Sequence, residues 1–555
     1  MKAKFILILL LLLNSAMLPA QIRIDWQQCY GSMETDNAYG IIQNASGGFY
    51  VVGKVGEESG MVDCSFNSSV CSWLIEIDDM GELIEEECIN HFGANYQGLK
   101  HGENNFFYLV GLGEVQYIHN VIEVRKYDFD RNLIWAAQAG DPLKNFMTTG
   151  YSATTPDGGV VVTHFTQWPC GPGGEYFGMD DAWVVKINSE GQQEWETTLG
   201  SEGEELPLTI LCDSDGNLIV SIVGYPFGEG NIASCNRPLY DAIITKLSAD
   251  GEIIWSRCYG GNEEERCYCI TELSDGYLFA GETESDDGNF EGAGYHLGYH
   301  NGNQWAGRTT DTWLMKADFD GNIIWSKCYG GTGDDYPIKV FQNEDGGFTV
   351  FGTTKSLDGD VVSTHNLQYN NEHMQSKIWV FRTDDQGNLI WERAIGTQKR
   401  APETVADVIK HNDKEYTIAA TAYPNHFEMT GDYYCSNDTI IPYSNENFWV
   451  LHITDIFNYD DPTGIEEQPE VVPLQMKVHP NPATTWVAID FTLPGDAKTA
   501  AVEIVNSLGE KVMLSQLNGN VGQKVLDLRE LANGVYTVTV LCGEYYQTEK
   551  LVITK

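Results

Sequence analysis

The sequence predicts an all-β fold: a seven-bladed β-propeller closed by its own N-terminal strand, followed by a small Ig-like β-sandwich. Three observations lead there. A tryptophan-centred strand recurs along most of the chain, a constant set of short strands separates its copies, and the composition changes abruptly after residue 473. Self-similarity at a fixed period decides architecture before any single residue does.

The recurring strand is clearest at Gly321 to Gly331, GNIIWSKCYGG, with Trp325 between two glycine turns. Near-copies stand at 251–261 (GEIIWSRCYGG), 387–396 (GNLIWERAIG), 191–200 (GQQEWETTLG), 132–140 (NLIWAAQAG) and 24–31 (IDWQQCYG). A degenerate copy, GELIEEECINHFG, starts at Gly81 and has Glu85 in the tryptophan's place. Trp26, Glu85, Trp135, Trp195, Trp255, Trp325 and Trp391 follow one another at about 50 to 70 residues, the spacing of propeller blades with loop insertions.

After each glycine turn comes an apolar strand, a turn such as Asp345-Gly346-Gly347, and a strand such as FTVFGTT from Phe348. A variable insertion then precedes a third strand: DAWVVKI from Asp181, DAIITKL from Asp241, DTWLMKA from Asp311, KIWVFRT from Lys377. Four short alternating strands with Gly/Asp turns make one antiparallel blade. The chain opens with a lone tryptophan strand and its repeats end three strands into a unit, at FWVLHIT from Phe448. If the first strand completes the last unit, seven blades close without an open edge. An open stack, or six blades with one damaged repeat around Glu85, is the competing solution.

The 555 residues carry 57 Gly and a net charge of -47, a composition that suits turn-rich globular material and repels nucleic acid and anionic lipid. Lys2 and Lys4 lead into an apolar run from Phe5 to Leu13, then Ser15, Ala16 and Ala20, which is the pattern of a signal peptide over residues 1–20. No later stretch approaches the ~20 apolar residues of a membrane span. Thirteen cysteines in an exported chain imply disulfides, with Cys64–Cys71 across a short polar loop as the best pair. Cys29, Cys88, Cys258 and Cys328 share one repeat position, three residues after the tryptophan mark, and read as core fillers that need no bond.

The tryptophan strands resemble the propeller repeats of secreted bacterial proteins and, more loosely, pyrroloquinoline-quinone-type repeats, in which the indole docks one blade on the next. SADGEIIW from Ser248 is similar to the Asp-box of sialidases but has Gly251 directly after Asp250, and that box is itself a structural turn. The acidic, proline-bearing stretch at 459–473 reads as a linker. Beyond it, residues 474–555 hold 7 Lys and Arg against 8 Asp and Glu, so the propeller carries nearly all the negative charge. This tail closely resembles the C-terminal sorting domain (type A) of type IX secretion cargo in the Bacteroidota. The match runs through Pro480, Asn481, Pro482, Gly509, the Asn533-Gly534-Val535-Tyr536 turn and the last strand ending in Lys555. The resemblance implies the secretion machinery as a partner, crossing of both membranes, and release or attachment at the cell surface. The chain thus divides into a signal peptide (1–20), a propeller (21–458), a linker (459–473) and a sorting domain (474–555).

The long insertions are all second-to-third connections, so one face of the propeller carries most of the sequence variety. The insertion from Glu282 offers Tyr295, His296, Tyr299, His300 and Trp305, and its neighbours offer Trp168, Tyr176 and Tyr225. Aromatic faces beside amides and acids suit a sugar, and equally a loop packed on itself. The acid pairs Glu264-Glu265 and Asp334-Asp335 could hold Ca²⁺ or serve as turn and solvation groups; no other cofactor is implied. No nucleophile elbow, metalloprotease or phosphate-loop motif occurs. The leading expectation is a non-enzymatic surface protein binding a glycan or a protein. A carbohydrate-active hydrolase or lyase and a structural envelope component are the alternatives.

Overall fold

The structure, a computed structural model, describes residues 22–32, 35–56, 71–89, 95–102, 106–115, 118–140, 150–166, 177–235, 239–300, 307–363, 376–396, 402–422, 447–456, 475–493, 499–506, 511–518, 521–529, 531–542 and 545–555. It is all-β, with a 3₁₀ turn at Gly288–Phe290. The chain forms two compact units, Met1–Phe457 and Asn458–Lys555.

In the first unit β1 (Ile22–Tyr30) precedes β2 to β5 (Asn37–Gln43, Phe49–Val55, Cys71–Ile77, Leu83–Cys88) and β6 to β9 (Asn95–His101, Phe106–Val115, Ile118–Asp128, Leu133–Ala139). Next come β10 to β13 (Tyr151–Thr154, Val160–Thr166, Asp181–Ile187, Gln193–Leu199) and β14 to β17 (Glu205–Cys212, Leu218–Gly224, Asp241–Leu247, Ile253–Tyr259). They are followed by β18 to β21 (Glu265–Leu273, Gly276–Thr283, Asp311–Ala317, Ile323–Tyr329) and β22 to β25 (Asp335–Gln342, Phe348–Thr354, Lys377–Thr383, Leu389–Ile395). The unit ends with β26 to β28 (Glu403–Lys410, Glu415–Ala422, Asn447–Asp455). Each group of four is an antiparallel sheet in sequence order, and β1 joins β26 to β28 as the outer strand beside β28. That pairing runs from Ile22 opposite Asp455 to Tyr30 opposite Phe448, and Trp449 Nε1 donates to Gln27 Oε1 at 3.0 Å.

The third strands β12 and β16 are buried at every position because neighbours cover both faces, which is why they read as continuous apolar runs. The outer strand β17 instead alternates toward exposure. First strands contact one another in the order β2, β6, β10, β14, β18, β22, β26, and β26 also contacts β2. A bulge interrupts β18, β22 and β26 at the same place and sets Cys269, Lys339 and Asp407 immediately beyond it.

Tryptophans join successive sheets. The Trp135, Trp195, Trp255 and Trp325 indoles lie on Gly191, Gly251, Gly321 and Gly387, in the third-to-fourth turn of the following sheet, where a Cβ would collide with the ring or with a residue beside it. Trp135, Trp195 and Trp255 also donate to the carbonyls of Ser189, Ala249 and Phe319 in those turns, at 2.8, 3.0 and 3.0 Å. Four residues on, on the same strand face, Tyr259 and Tyr329 donate to the carbonyls of Gly321 and Gly387, each at 2.6 Å.

The cysteine reading needs correction. Cys258 is bonded to Cys235, with Cα atoms 5.6 Å apart, and Cys29 and Cys88 are disulfide-bonded as well. Only Cys328 of that repeat position is a buried thiol. The Cys258 partner comes from the insertion between β15 and β16, which folds back over the outer strand. Cys64 lies outside the described residues, and with it the pairing expected for the buried Cys71.

The second unit contains β29 (Gln475–His479), β30 (Trp486–Thr492), β31 (Thr499–Asn506), β32 (Lys511–Asn518), β33 (Val521–Asp527), β34 (Gly534–Cys542) and β35 (Tyr545–Ile553). They form two sheets, ordered β29-β30-β33 and β32-β31-β34-β35, around a core that includes Val487, Ile489, Ile504, Val538, Val540 and Leu551.

Candidate functional site

The insertion after β19 is held against its own sheet. Tyr295 donates its hydroxyl to the Thr309 carbonyl at 2.7 Å and packs on the core around Trp313. The His296 backbone N–H donates to Asp311 Oδ2 at 2.7 Å, and its Nδ1 lies 3.0 Å from the same oxygen. This contact raises the imidazole's pKa, while burial pushes the Asp311 carboxyl up to about 6. Tyr299 forms a backbone bridge with Arg308, and His300 Nδ1 lies 3.7 Å from Asp334 Oδ1. Tyr225 is exposed beside Phe227, with ring centroids 5.8 Å apart. Trp168, Tyr176 and Trp305 lie outside the described residues.

The acid pairs are split by the strand's period of two, which sends neighbouring side chains to opposite faces. Glu264 pairs with Arg266 at 2.7 Å, whereas Glu265 is fully buried and accepts from Gly261 N and Thr283 Oγ1 at 2.8 and 2.7 Å. Asp334 pairs with Lys355 at 2.9 Å, whereas Asp335 is fully buried and accepts from Gly331 N and Ser356 Oγ at 2.9 and 2.6 Å. Glu205 repeats this arrangement with Ser201 N at 2.8 Å. The inner member of each pair feels the charge of, or bonds, the first residue of the preceding third strand, Asp181 for Glu205, Asp241 for Glu265 and Asp311 for Asp335, and the last two pairs each share one glycine, Gly260 and Gly330. Burial, the largest cause, raises Glu205 to about 7 and Asp335 to about 8. At the next seam the acid pair becomes the buried ion pair Lys377–Glu403. Among the described residues the one group with the mutual geometry of a metal site is Cys235, Asp241 and Cys258, whose sulfurs are bonded to each other.

Two further features carry chemistry that the residue pattern did not single out. Glu284, half-buried at the root of the insertion, has its carboxyl raised to about 7 by burial and then by Glu264 and Glu263. The second is a cavity of about 350 Å³ among the first strands, lined by Ile41, Leu99, Lys100, Lys339, Asp407 and Ile409 with their neighbours. Lys339 Nζ lies 3.1 Å from Asp407 Oδ1, and Asp407 also accepts the backbone N–H groups of Ile41 and Val408 at 3.5 and 2.9 Å. Asp407 raises the Lys339 pKa; burial, then Lys339, lowers that of Lys100. Lysines on apolar strands spaced far apart in sequence give no local signal.

In the tail, the predicted sorting residues gather around the last strand. Asn481 Nδ2 donates to the Lys550 carbonyl at 2.5 Å and its Oδ1 accepts Val552 N–H at 2.9 Å, between the flanking Pro480 and Pro482. Gly534 opens β34, two residues before Tyr536, whose hydroxyl donates to the Ala532 carbonyl at 2.9 Å. The Lys555 N–H donates to Asn533 Oδ1 at 2.7 Å, and its ammonium bonds the Arg529 and Leu531 carbonyls.

Residues 477–554 match the family of secretion system C-terminal sorting domains. The chain is therefore exported by type IX secretion as a secreted or outer-membrane surface protein, and no helix among its described residues is long and apolar enough to cross a membrane. No curated protein matches the sequence. Among solved structures, prolyl oligopeptidase B from Galerina marginata aligns at 9% identity and TM-score 0.36, over 83% of this chain and 56% of that one, so the chain spans little more than half of that protein. The endosialidase of phage phi92 aligns at 9% identity and TM-score 0.36, over 96% of this chain and 87% of that one. The GH93 α-L-arabinofuranosidase of Fusarium graminearum aligns at 8% identity and TM-score 0.35, over 64% and 91%.

Proposed function

We propose that this is a non-enzymatic binding protein of the cell surface, delivered by its tail, whose first unit is a seven-bladed propeller closed by β1. The ring reading draws on the contact of β26 with β2 and on the β1–β28 pairing. Residues 1–20 act as the export signal, 459–473 as the linker, and the ligand is a glycan or a protein met at the insertion end.

The observation that carries a binding role is the anchoring of residues 288–300 through His296 and Asp311, beside which Leu297 is exposed and the His300 side chain is 42% accessible. The seam acids with raised pKa values sit under glycine turns, sealed from any substrate oxygen. A glycan and peptide screen on the mature chain tests this, with Tyr295→Ala and Tyr299→Ala expected to weaken the hit. Binding that survives both changes places the ligand elsewhere.

A hydrolase is the second reading, favoured by Glu284, whose raised carboxyl at the same end suits a general acid. Turnover of a polysaccharide panel that Glu284→Gln abolishes would replace the first reading with this one.

A further inference from the structure

The cavity among the first strands lies toward the opposite end of the unit from the insertions. Its walls come from the C-terminal halves of strands: Ile41 to Gln43 of β2, Leu99 to His101 of β6, and Asp407 to Ile409 of β26. In an up-and-down sheet those halves point to the short first-to-second turns.

Its charge is opposite to that of the molecule. Against a net -47, the cavity holds two lysines and one aspartate. Asp407 accepts from Lys339 and from two backbone N–H groups, and one carboxylate is left to balance two lysines. Among the described residues Lys100 makes no ion pair; Lys339 and Asp407 act on it with opposite signs, and the repulsion from Lys339 is the larger. The Lys339 side chain keeps about a third of its surface accessible, 34%, where it lines the cavity. Leu99, Ile41, Val408 and Ile409 supply apolar walls beside these charges. A desolvated ammonium that no carboxylate pairs directly is costly, and an anion accepted between two lysines reduces that cost.

We propose that this cavity is a binding site for a small carboxylate, with Lys100 and Lys339 receiving the anion and the aliphatic walls covering a body about the size of a sugar ring. The volume lies at the lower end of the ~300–1,000 Å³ usual for ligand pockets, which excludes a long oligomer. The site is separate from the insertion end and stands whichever ligand that end takes.

Titration calorimetry on the mature chain tests it with D-glucuronate, with D-glucose as the same ring lacking the carboxylate, and with N-acetyl-alanine as a peptide-like carboxylate. At least one of the two acids should bind saturably, about ten- to a hundredfold tighter than glucose, and which one does identifies a sugar acid or a chain end as the source. Lys100→Met should abolish that preference while keeping or raising the melting temperature, because it removes a desolvated charge that no carboxylate pairs directly. Lys100→Arg should retain it, and Tyr295→Ala should leave it unchanged. Binding of neither acid, equal binding of acid and glucose, or full binding by a folded Lys100→Met variant would overturn the proposal.

Discussion

Glu85 and Arg131 form an ion pair at the seam where, in other sheets, a tryptophan lies on a glycine. Glu85 occupies the tryptophan's place on β5, and Arg131 the glycine's place in the following turn, where it keeps a positive φ of 61°. The apparently damaged repeat is thus a paired exchange of one docking contact for another. Glu85→Trp alone sets an indole against a long side chain, and Arg131→Gly alone leaves the acid without its cation. The double variant should recover stability, with a coupling of about 1 kcal/mol or more in a chemical-denaturation cycle. Additive effects would mean that the two positions do not answer each other.

Stability should depend on pH through the seam acids. Asp335 is raised from 3.8 to about 8, chiefly by burial, and faces Asp311, Ser356 and the Gly331 N–H, with His296 and Asp360 beyond Asp311. Between those values the folded state holds a proton that the unfolded chain has lost, so this contribution is complete below about pH 4 and fades as pH rises to about 8. Glu205 acts in the same sense from 4.5 to about 7. Melting curves of Asp335→Asn against the parent should therefore diverge in the variant's favour as pH increases. A difference constant with pH would sink this account.

The Cys235–Cys258 bond ties an insertion to an outer strand. Cys235→Ser should cost about 2–4 kcal/mol in denaturant unfolding and expose the 225–240 segment to proteases first. An unchanged digestion pattern would show that the segment is held without it.

Removing residues 21–31 should strip β28 of its partner and bare an edge strand. The truncated chain is expected to melt lower and to associate in size-exclusion chromatography. A monomer of parental stability would refute closure by β1.

Asn481→Ala removes two hydrogen bonds that hold the last strand of the tail. Surface delivery in a type IX-competent host should fall, as it should when residues 474–555 are deleted, with the protein accumulating in the periplasm. Undiminished delivery of the deletion would remove the tail from the export route.

The all-β class, the four-strand unit and the sorting tail could all be read from local pattern. Period-two alternation, Gly/Asp turns and short motifs such as Pro480-Asn481-Pro482 are properties of neighbouring residues, and so are visible along a chain. What tertiary structure decided is pairing across distance. Cys258 reads as a core filler until the insertion returns Cys235 to it, and Glu85 reads as a defect until Arg131 arrives from the next sheet. Lys100, Lys339 and Asp407 carry no message singly. They share one cavity only because β6, β22 and β26 converge, and the energies of burial and charge that make them a candidate site exist only once they do.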